Sequence, residues 1–375
     1  MKYQRTIQKE IETRMFKGKV IIIYGARRVG KTTLVKQILS KYKGQSRYFN
    51  CELFANKMAL ETTNHKELEK ALDKNKLVVL DEAQSINNIG LILKIMVDTY
   101  PDVQIIATGS SSFDLANEIQ EPLTGRARRF FLYPLSAQEI IQNSDTLNMQ
   151  AKLNDILRFG SYPSVIDETE SEAKEELNEI VSNYLYKDIL QFQNLKKPNL
   201  LLKILQALAY QLGNEVSYSE VAGLVGENYH TVERYIDLLE KCFVIFRLKS
   251  LSRNPRKELR KKQKHYFLDL GIRNSLIQNY NKIDLRNDIG ALWENFCILE
   301  RIKKNSNERN FLNIYFWRNY LGKEIDYLEE YDGKLKAYEM KWNPKKKQKI
   351  PKDFSSNYQN FSYQVIHKDN FLDFV

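Results

Sequence analysis

The chain has 375 residues, 43% hydrophobic and 28% charged, enough for two or three domains with cores of their own. Its start, MKYQRTIQKEIETRMFKGK, lacks the apolar stretch of a secretory signal, and no run of about 18 apolar residues occurs; the expectation is a cytoplasmic protein with no membrane partner. The formal charge of +11 and pI near 9.2 favour phosphate-rich partners such as nucleic acid, although an AT-rich genome gives the same lysine-rich composition to proteins that never touch DNA. Cys51, Cys242 and Cys297 lie far apart in apolar stretches, which suits buried free thiols better than disulfides or zinc, and the four histidines are equally scattered.

In chain order, Lys19–Tyr24 (KVIIIY) is a short apolar run ending at a glycine, as a strand buried on both faces of a parallel sheet looks. A helix follows, with Leu34, Val35, Ile38 and Leu39 on one stripe. Strand-like runs recur at Ser46–Cys51, Leu77–Leu80, Val103–Thr108 and Arg129–Tyr133, mostly separated by helical stretches. Five strands alternating with helices predict an α/β three-layer parallel sheet over residues 1–135. After Pro134 the chain reads as helices over 136–213, including a long one from about Glu172 to Asn194. Over 214–285 the order is helix, turn near Gly226–Asn228, helix, the strand VIFRL, a basic loop Ser250–Lys264 and a returning strand His265–Leu270, the outline of a winged helix. Residues 286–375 begin with the helix ALWENFCILERI and continue with strands at Ile314–Arg318, Glu324–Glu329 and Leu335–Lys341.

Gly25-Ala26-Arg27-Arg28-Val29-Gly30-Lys31-Thr32 fits GxxxxGK[ST] and stands between a buried strand and a helix, as that motif requires. The glycines let backbone N–H groups turn toward a β-phosphate, and the helix N-terminus adds partial positive charge. Gly25 through Thr33 are therefore the expected binding residues for ATP, with Lys31 on the β- and γ-phosphates and the Thr32 hydroxyl on Mg²⁺. Leu77–Glu82 (LVVLDE) ends a buried strand in two acids: Asp81 to hold Mg²⁺ through its water shell, Glu82 to polarise the attacking water. Thr108-Gly109-Ser110 ends another strand, so Ser110 or Thr108 is a candidate γ-phosphate sensor, against the alternative of a polar turn. Arg126, in GRARR, is the candidate arginine for transition-state charge, in cis or across a subunit interface of a homo-oligomer; a solvated basic turn is the alternative.

With these pieces the chain resembles a family of prokaryotic AAA+-type ATPases in which an N-terminal ATPase domain precedes a C-terminal domain of unknown function. The resemblance rests on GARRVGKTT at Gly25, LVVLDEAQ at Leu77, ATGSSS at Ala107, LTGRARRFFLYPLS at Leu123, YLYKDIL at Tyr184, YHTVERYIDLLE at Tyr229, HYFLDLGI at His265, ALWENF at Ala291 and KEIDYL at Lys323. It implies a five-stranded AAA+-type core followed by a helical and winged-helix middle.

In the winged-helix reading, the second helix exposes Asn228, His230, Thr231, Glu233 and Arg234 to DNA, although the same fold also serves protein contacts or an ATPase lid. At the C-terminus, Glu294 on a helix, Asp326 on a strand and Glu339-Met340-Lys341 on the next resemble the E…D…ExK pattern of PD-(D/E)xK nucleases. Residues 339 and 341 would share one strand face, with Glu294, Asp326 and Glu339 holding Mg²⁺ and Lys341 activating water. The competing expectation is a nuclease-like fold kept for binding, in an ATP-driven switch whose partner is a protein.

Overall fold

The computed structural model describes residues 3–109, 122–142, 149–182, 197–252, 263–346 and 348–375. The chain divides into two compact units, Met1–Leu135 with Lys241–Phe243, and Ser136–Glu240 with Val244–Val375. Among the described residues no helix is long and apolar enough to cross a membrane.

The first unit is built on β1 (Val20–Tyr24), β2 (Ser46–Asn50), β3 (Leu77–Asp81), β4 (Gln104–Gly109) and β5 (Ala127–Phe131). All are parallel, in the order β2-β3-β4-β1-β5. The three central strands are buried along their whole length, which explains their unbroken Val/Ile/Leu runs, whereas the edge strands β2 and β5 are only partly covered. One layer of the core packs Ile22, Leu80 and Ala107 of the sheet with Leu93 and Met96 of the helix Ile89–Thr99. Truncating either of those helix residues to alanine would cost roughly 2–5 kcal/mol. β5 begins and ends two residues before the Arg129–Tyr133 run expected from apolarity. As an edge strand it needs only one buried neighbour, so Arg128 and Arg129 are tolerated within it. Because every strand points the same way, the segments after β1, β3 and β4 meet at one edge.

The second unit opens with helices at Ala137–Ile141, Met149–Phe159, Glu170–Ile180 and Pro198–Tyr210. The expected long helix beyond Glu172 and the Tyr184 motif run into residues outside those described. A seven-stranded sheet follows: β6 (Glu215–Val216), β7 (Ile245–Ser250), β8 (Gln263–Phe267), β9 (Asn313–Arg318), β10 (Glu324–Tyr331), β11 (Lys334–Met340) and β12 (Phe361–Ile366). Its order is β12-β11-β10-β9-β7-β8-β6, so strands of the 214–285 and 286–375 regions share one sheet, joined by the parallel pairing of β7 with β9. The returning strand expected to reach Leu270 stops at Phe267. Asp269 there accepts a hydrogen bond from the Ile272 N–H and caps the helix Leu270–Leu276. β12, parallel to β11, has no counterpart in the sequence reading.

Candidate functional site

Gly25 leaves β1 so close to β5's continuation that a Cβ would lie 2.2 Å from the Leu132 carbonyl oxygen, so only glycine fits. Gly30 takes a left-handed conformation, φ 99°, directly before the helix Lys31–Leu39, and Arg28 within the loop is also left-handed at φ 62°. This turn places the free N–H groups of a nine-residue helix at the carboxyl edge of the sheet, where an anion is favoured. The Val29 carbonyl of the loop accepts a 3.1 Å hydrogen bond from buried Arg5, a brace with no motif to announce it. Arg27, Arg28 and Thr33 are exposed around this turn, and Ala26 and Val29 are buried in it.

Lys31 is buried, and its ammonium donates 3.0 Å hydrogen bonds to the Gly25 and Ala26 carbonyl oxygens while lying 3.7 Å from the Glu82 carboxylate. Burial lowers its pKa, with Glu82 and Asp81 opposing. Asp81, at the end of β3, gathers three hydroxyls. Thr32 and Tyr48 donate to Oδ2 at 2.7 and 2.6 Å, and Thr108, at the end of β4, donates to Oδ1. The Thr108 oxygen also accepts the Glu82 N–H at 3.0 Å. Glu82 turns off the strand in a left-handed conformation, φ 54°, and one carboxylate oxygen is held by the Gln84 amide at 2.5 Å. Hydroxyl and carboxylate oxygens side by side are the hard donor set that Mg²⁺ takes, so these residues fit the nucleotide-bound ion expected of the motif.

Gly25–Thr33, Asp81 and Glu82 are thus brought together. Thr108 lies at this edge too, with its hydroxyl hydrogen-bonded to the Asp81–Glu82 turn. Ser110 lies outside the described residues. Arg126 lies at the opposite edge. Its carbonyl oxygen accepts the Val20 N–H at the start of β1, its guanidinium pairs with Asp98 at 2.7 Å, and the length of β1, about 16 Å at ~3.3 Å per residue, separates it from the P-loop. A cis role for Arg126 is therefore excluded by the strand direction. Tyr48, Thr108 and Gln84 are the residues sequence reasoning missed as partners of the two acids. Only the repeated ending of buried strands in polar groups hinted at one of them.

A second cluster lies within the other unit. Glu294 of the long helix Ile289–Asn307 and Glu324 and Asp326 of β10 each offer a carboxylate oxygen, all within 4.8 Å of one another. That is the spread that ligands at about 2.1–2.4 Å from one hard cation allow, so the donor set fits a divalent ion. The β10–β9 register shifts between Ile325 and Leu328, the stretch that holds Asp326, whose Oδ2 accepts the Met340 N–H at 2.7 Å. Burial, then Glu294 and Glu339, push the Asp326 carboxyl well above the usual carboxylate range. Glu339 differs from expectation. It is not one of the three converging acids; Lys341 donates to its Oε1 at 2.6 Å, and its buried Oε2 has no hydrogen-bond partner. Lys341 is also 3.8 Å from Asp326. Two participants were missed, Glu324 and Lys264, the latter donating to Glu294 at 2.8 Å and to Glu324. Of the expected DNA-facing residues on the helix Tyr229–Lys241, His230 and Arg234 are exposed, Asn228 accepts the Thr231 N–H at its N-terminus, and Glu233 pairs with His230 at 3.7 Å.

Residues 17–141 match the family described as AAA domain. Residues 150–283 and 289–372 match two families described as domains of unknown function, DUF8612 and DUF4143. Among curated relatives, an uncharacterized protein of Methanocaldococcus jannaschii, MJ1544, is 27% identical over 351 residues, covering 87% of this chain and 76% of that protein. An uncharacterized protein of Haemophilus influenzae is 25% identical over 276 residues, 68% of each chain. Among solved structures, the Walker-type ATPase PABY2304 of Pyrococcus abyssi matches with a TM-score of 0.51 at 15% identity, covering 74% of this chain and 96% of that one. The fold of the first unit is accordingly that of a P-loop NTPase core, followed by further helical and sheet regions.

Proposed function

We propose that the protein binds ATP with Mg²⁺ at Gly25–Thr33 and hydrolyses it, and that this turnover drives a nuclease-like module acting on nucleic acid. The observation that carries the first part is the triple hydroxyl clasp on Asp81, which fixes the Asp81–Glu82 turn beside the Lys31 ammonium. When bound, the metal ion neutralises charge between the β- and γ-phosphates. The protein's own share is then as follows. Lys31 would hold phosphate oxygens, Thr32 and Asp81 would hold the ion, and Glu82 would orient the attacking water and accept its proton. Arg126 acts only from a neighbouring subunit, if the protein assembles.

For the second part we read 136–213 as a helical lid region, 214–285 as a winged helix and 286–375 as the nuclease-like domain. Convergence of Glu294, Glu324 and Asp326 supports it, with the Lys341–Glu339 pair beside Asp326, as does the net charge of +11. A second reading, an ATP-dependent switch on a protein partner, is favoured by Lys264, whose ammonium already occupies the space between Glu294 and Glu324. Phosphate release from ATP and Mg²⁺, with and without single- and double-stranded DNA, separates the two, with Glu82→Gln as control. DNA-stimulated release that disappears in Glu82→Gln is the expected result. Release indifferent to DNA moves the assignment to the protein-directed switch, and no release from wild type refutes hydrolysis.

A further inference from the structure

Lys264 is fully buried in β8, the strand held between β7 and β6, and its side chain reaches across Phe316 with the ammonium 5.4 Å from the ring centre. The ammonium ends 2.8 Å from Glu294 Oε1, an oxygen that also accepts the Tyr266 hydroxyl at 2.5 Å, and bonds Glu324 Oε1 as well. These are two of the three acids whose oxygens converge within 4.8 Å. A structural ion pair would match its charges and satisfy its oxygens, because unpaired buried charge is costly. Here four carboxylates, Glu294, Glu324, Asp326 and Glu339, face two ammonium groups, Lys264 and Lys341, with Arg318 reaching Glu324 only at 3.8 Å. Glu339 Oε2, in a residue only 3% exposed, has no hydrogen-bond partner. The cluster holds more carboxyl groups than ammonium groups and has a buried oxygen to spare.

A divalent ion bound at about 2.1–2.4 Å from Glu294 Oε1 would lie within a few ångströms of the ammonium bonded to that same oxygen. Two cations at such separation repel strongly in a buried site. We propose that Lys264 is a built-in counterion that competes with a divalent cation for Glu294, Glu324 and Asp326, so that the site loads only when the lysine side chain swings away. The inference rests on the metal-binding reading of the nuclease-like module and adds to it a fourth carboxylate, Glu324, and an internal lock.

The test uses the full chain without nucleotide and Mn²⁺ as the probe, comparing wild type, Lys264→Gln and the double variant Lys264→Gln/Glu324→Gln by calorimetric titration and thermal unfolding. Lys264→Gln should bind Mn²⁺ about ten-fold or more tighter than wild type, and Mn²⁺ should raise its Tm further, since a unit positive charge ~4 Å from the ion has been removed. Adding Glu324→Gln should abolish the gain, which locates it at this cluster rather than at Asp81. If Lys264→Gln folds only with millimolar Mn²⁺ present, the ion has replaced the ammonium and the proposal stands. If Lys264→Gln is unfolded with and without Mn²⁺, or binds no tighter than a wild type that does bind, the lysine is a structural ion pair and the proposal fails while the metal reading survives. If no form binds Mn²⁺ at these acids, both fail.

Discussion

Thr108→Val separates two roles for the hydroxyl at the end of β4. The side chain is fully buried, donates to Asp81 Oδ1 and accepts the Glu82 N–H at 3.0 Å, so the near-isosteric valine removes two hydrogen bonds without opening a cavity. A bond to a charged carboxylate is worth about 1.5–3 kcal/mol and a neutral one about 0.5–1.5. Asp81 keeps the Thr32 and Tyr48 hydroxyls on its other oxygen, which places the expected loss near the lower end of that sum, ~2 kcal/mol. Denaturant unfolding of the nucleotide-free protein should register this loss. In phosphate release, kcat should fall by roughly 10²-fold with little change in KM, because the Glu82 turn loses its anchor and the water-orienting carboxylate drifts. Thr108→Ser, which keeps the oxygen, should restore both. A Thr108→Val protein as stable as wild type without nucleotide, yet inactive, would refute this account, because the hydroxyl would then act on the nucleotide and not on the strand ends. Equal losses in the valine and serine variants would count against the hydroxyl as the cause on its own, because serine keeps the oxygen and valine keeps the methyl group.

Arg126→Ala should leave turnover in dilute solution unchanged, since the residue is half-buried and at the far edge of the sheet; a loss under those conditions contradicts the strand-direction argument, and a loss appearing only as protein concentration rises places Arg126 in a neighbour's site. Gly160→Ala should lower stability by about 2–4 kcal/mol in denaturant titration, because φ is +76° and a Cβ would lie 2.0 Å from Asp269 Oδ1. His265 is buried beside Tyr218, whose hydroxyl is 3.0 Å from Nε2, and burial, then the Arg247 charge, lower its pKa from 6.5 to about 3. The unfolded chain therefore takes up the proton first, and stability falls as pH drops below ~6.5, by roughly 2–3 kcal/mol at pH 4.5. His265→Asn, which cannot titrate, should flatten that part of the stability–pH curve, and an unchanged slope would mean that His265 is protonated in the folded state.

The parts of the molecule legible in the sequence are those in which chain neighbours are also spatial neighbours. Gly25–Thr32 carries its own geometry, a loop with a left-handed glycine between the end of a buried strand and the start of a helix, and Asp81–Glu82 needs only the end of a buried strand. What Asp81 touches was not legible, because it depends on strand order. With β3 between β2 and β4, the chain brings Tyr48 and Thr108 to it from residues 33 and 27 positions away, and no local pattern records that adjacency. The same reasoning explains the cluster in the second unit. The spacing of Glu339 and Lys341 suggests one strand face; β11 ends at Met340, and Lys341 just beyond it is tied to Glu339, while the register shift of β10 and the joining of β7 to β9 accompany the meeting of Glu324 and Lys264 with Glu294. A motif of acids and a lysine thus told which residue types would meet, and the topology of a mixed seven-stranded sheet decided which of them did. The charge balance follows from that topology: a lysine reaches the acids from a strand that the spacing of the motif never included, so whether the cluster holds a metal is set by the sheet's connectivity as much as by its carboxylates.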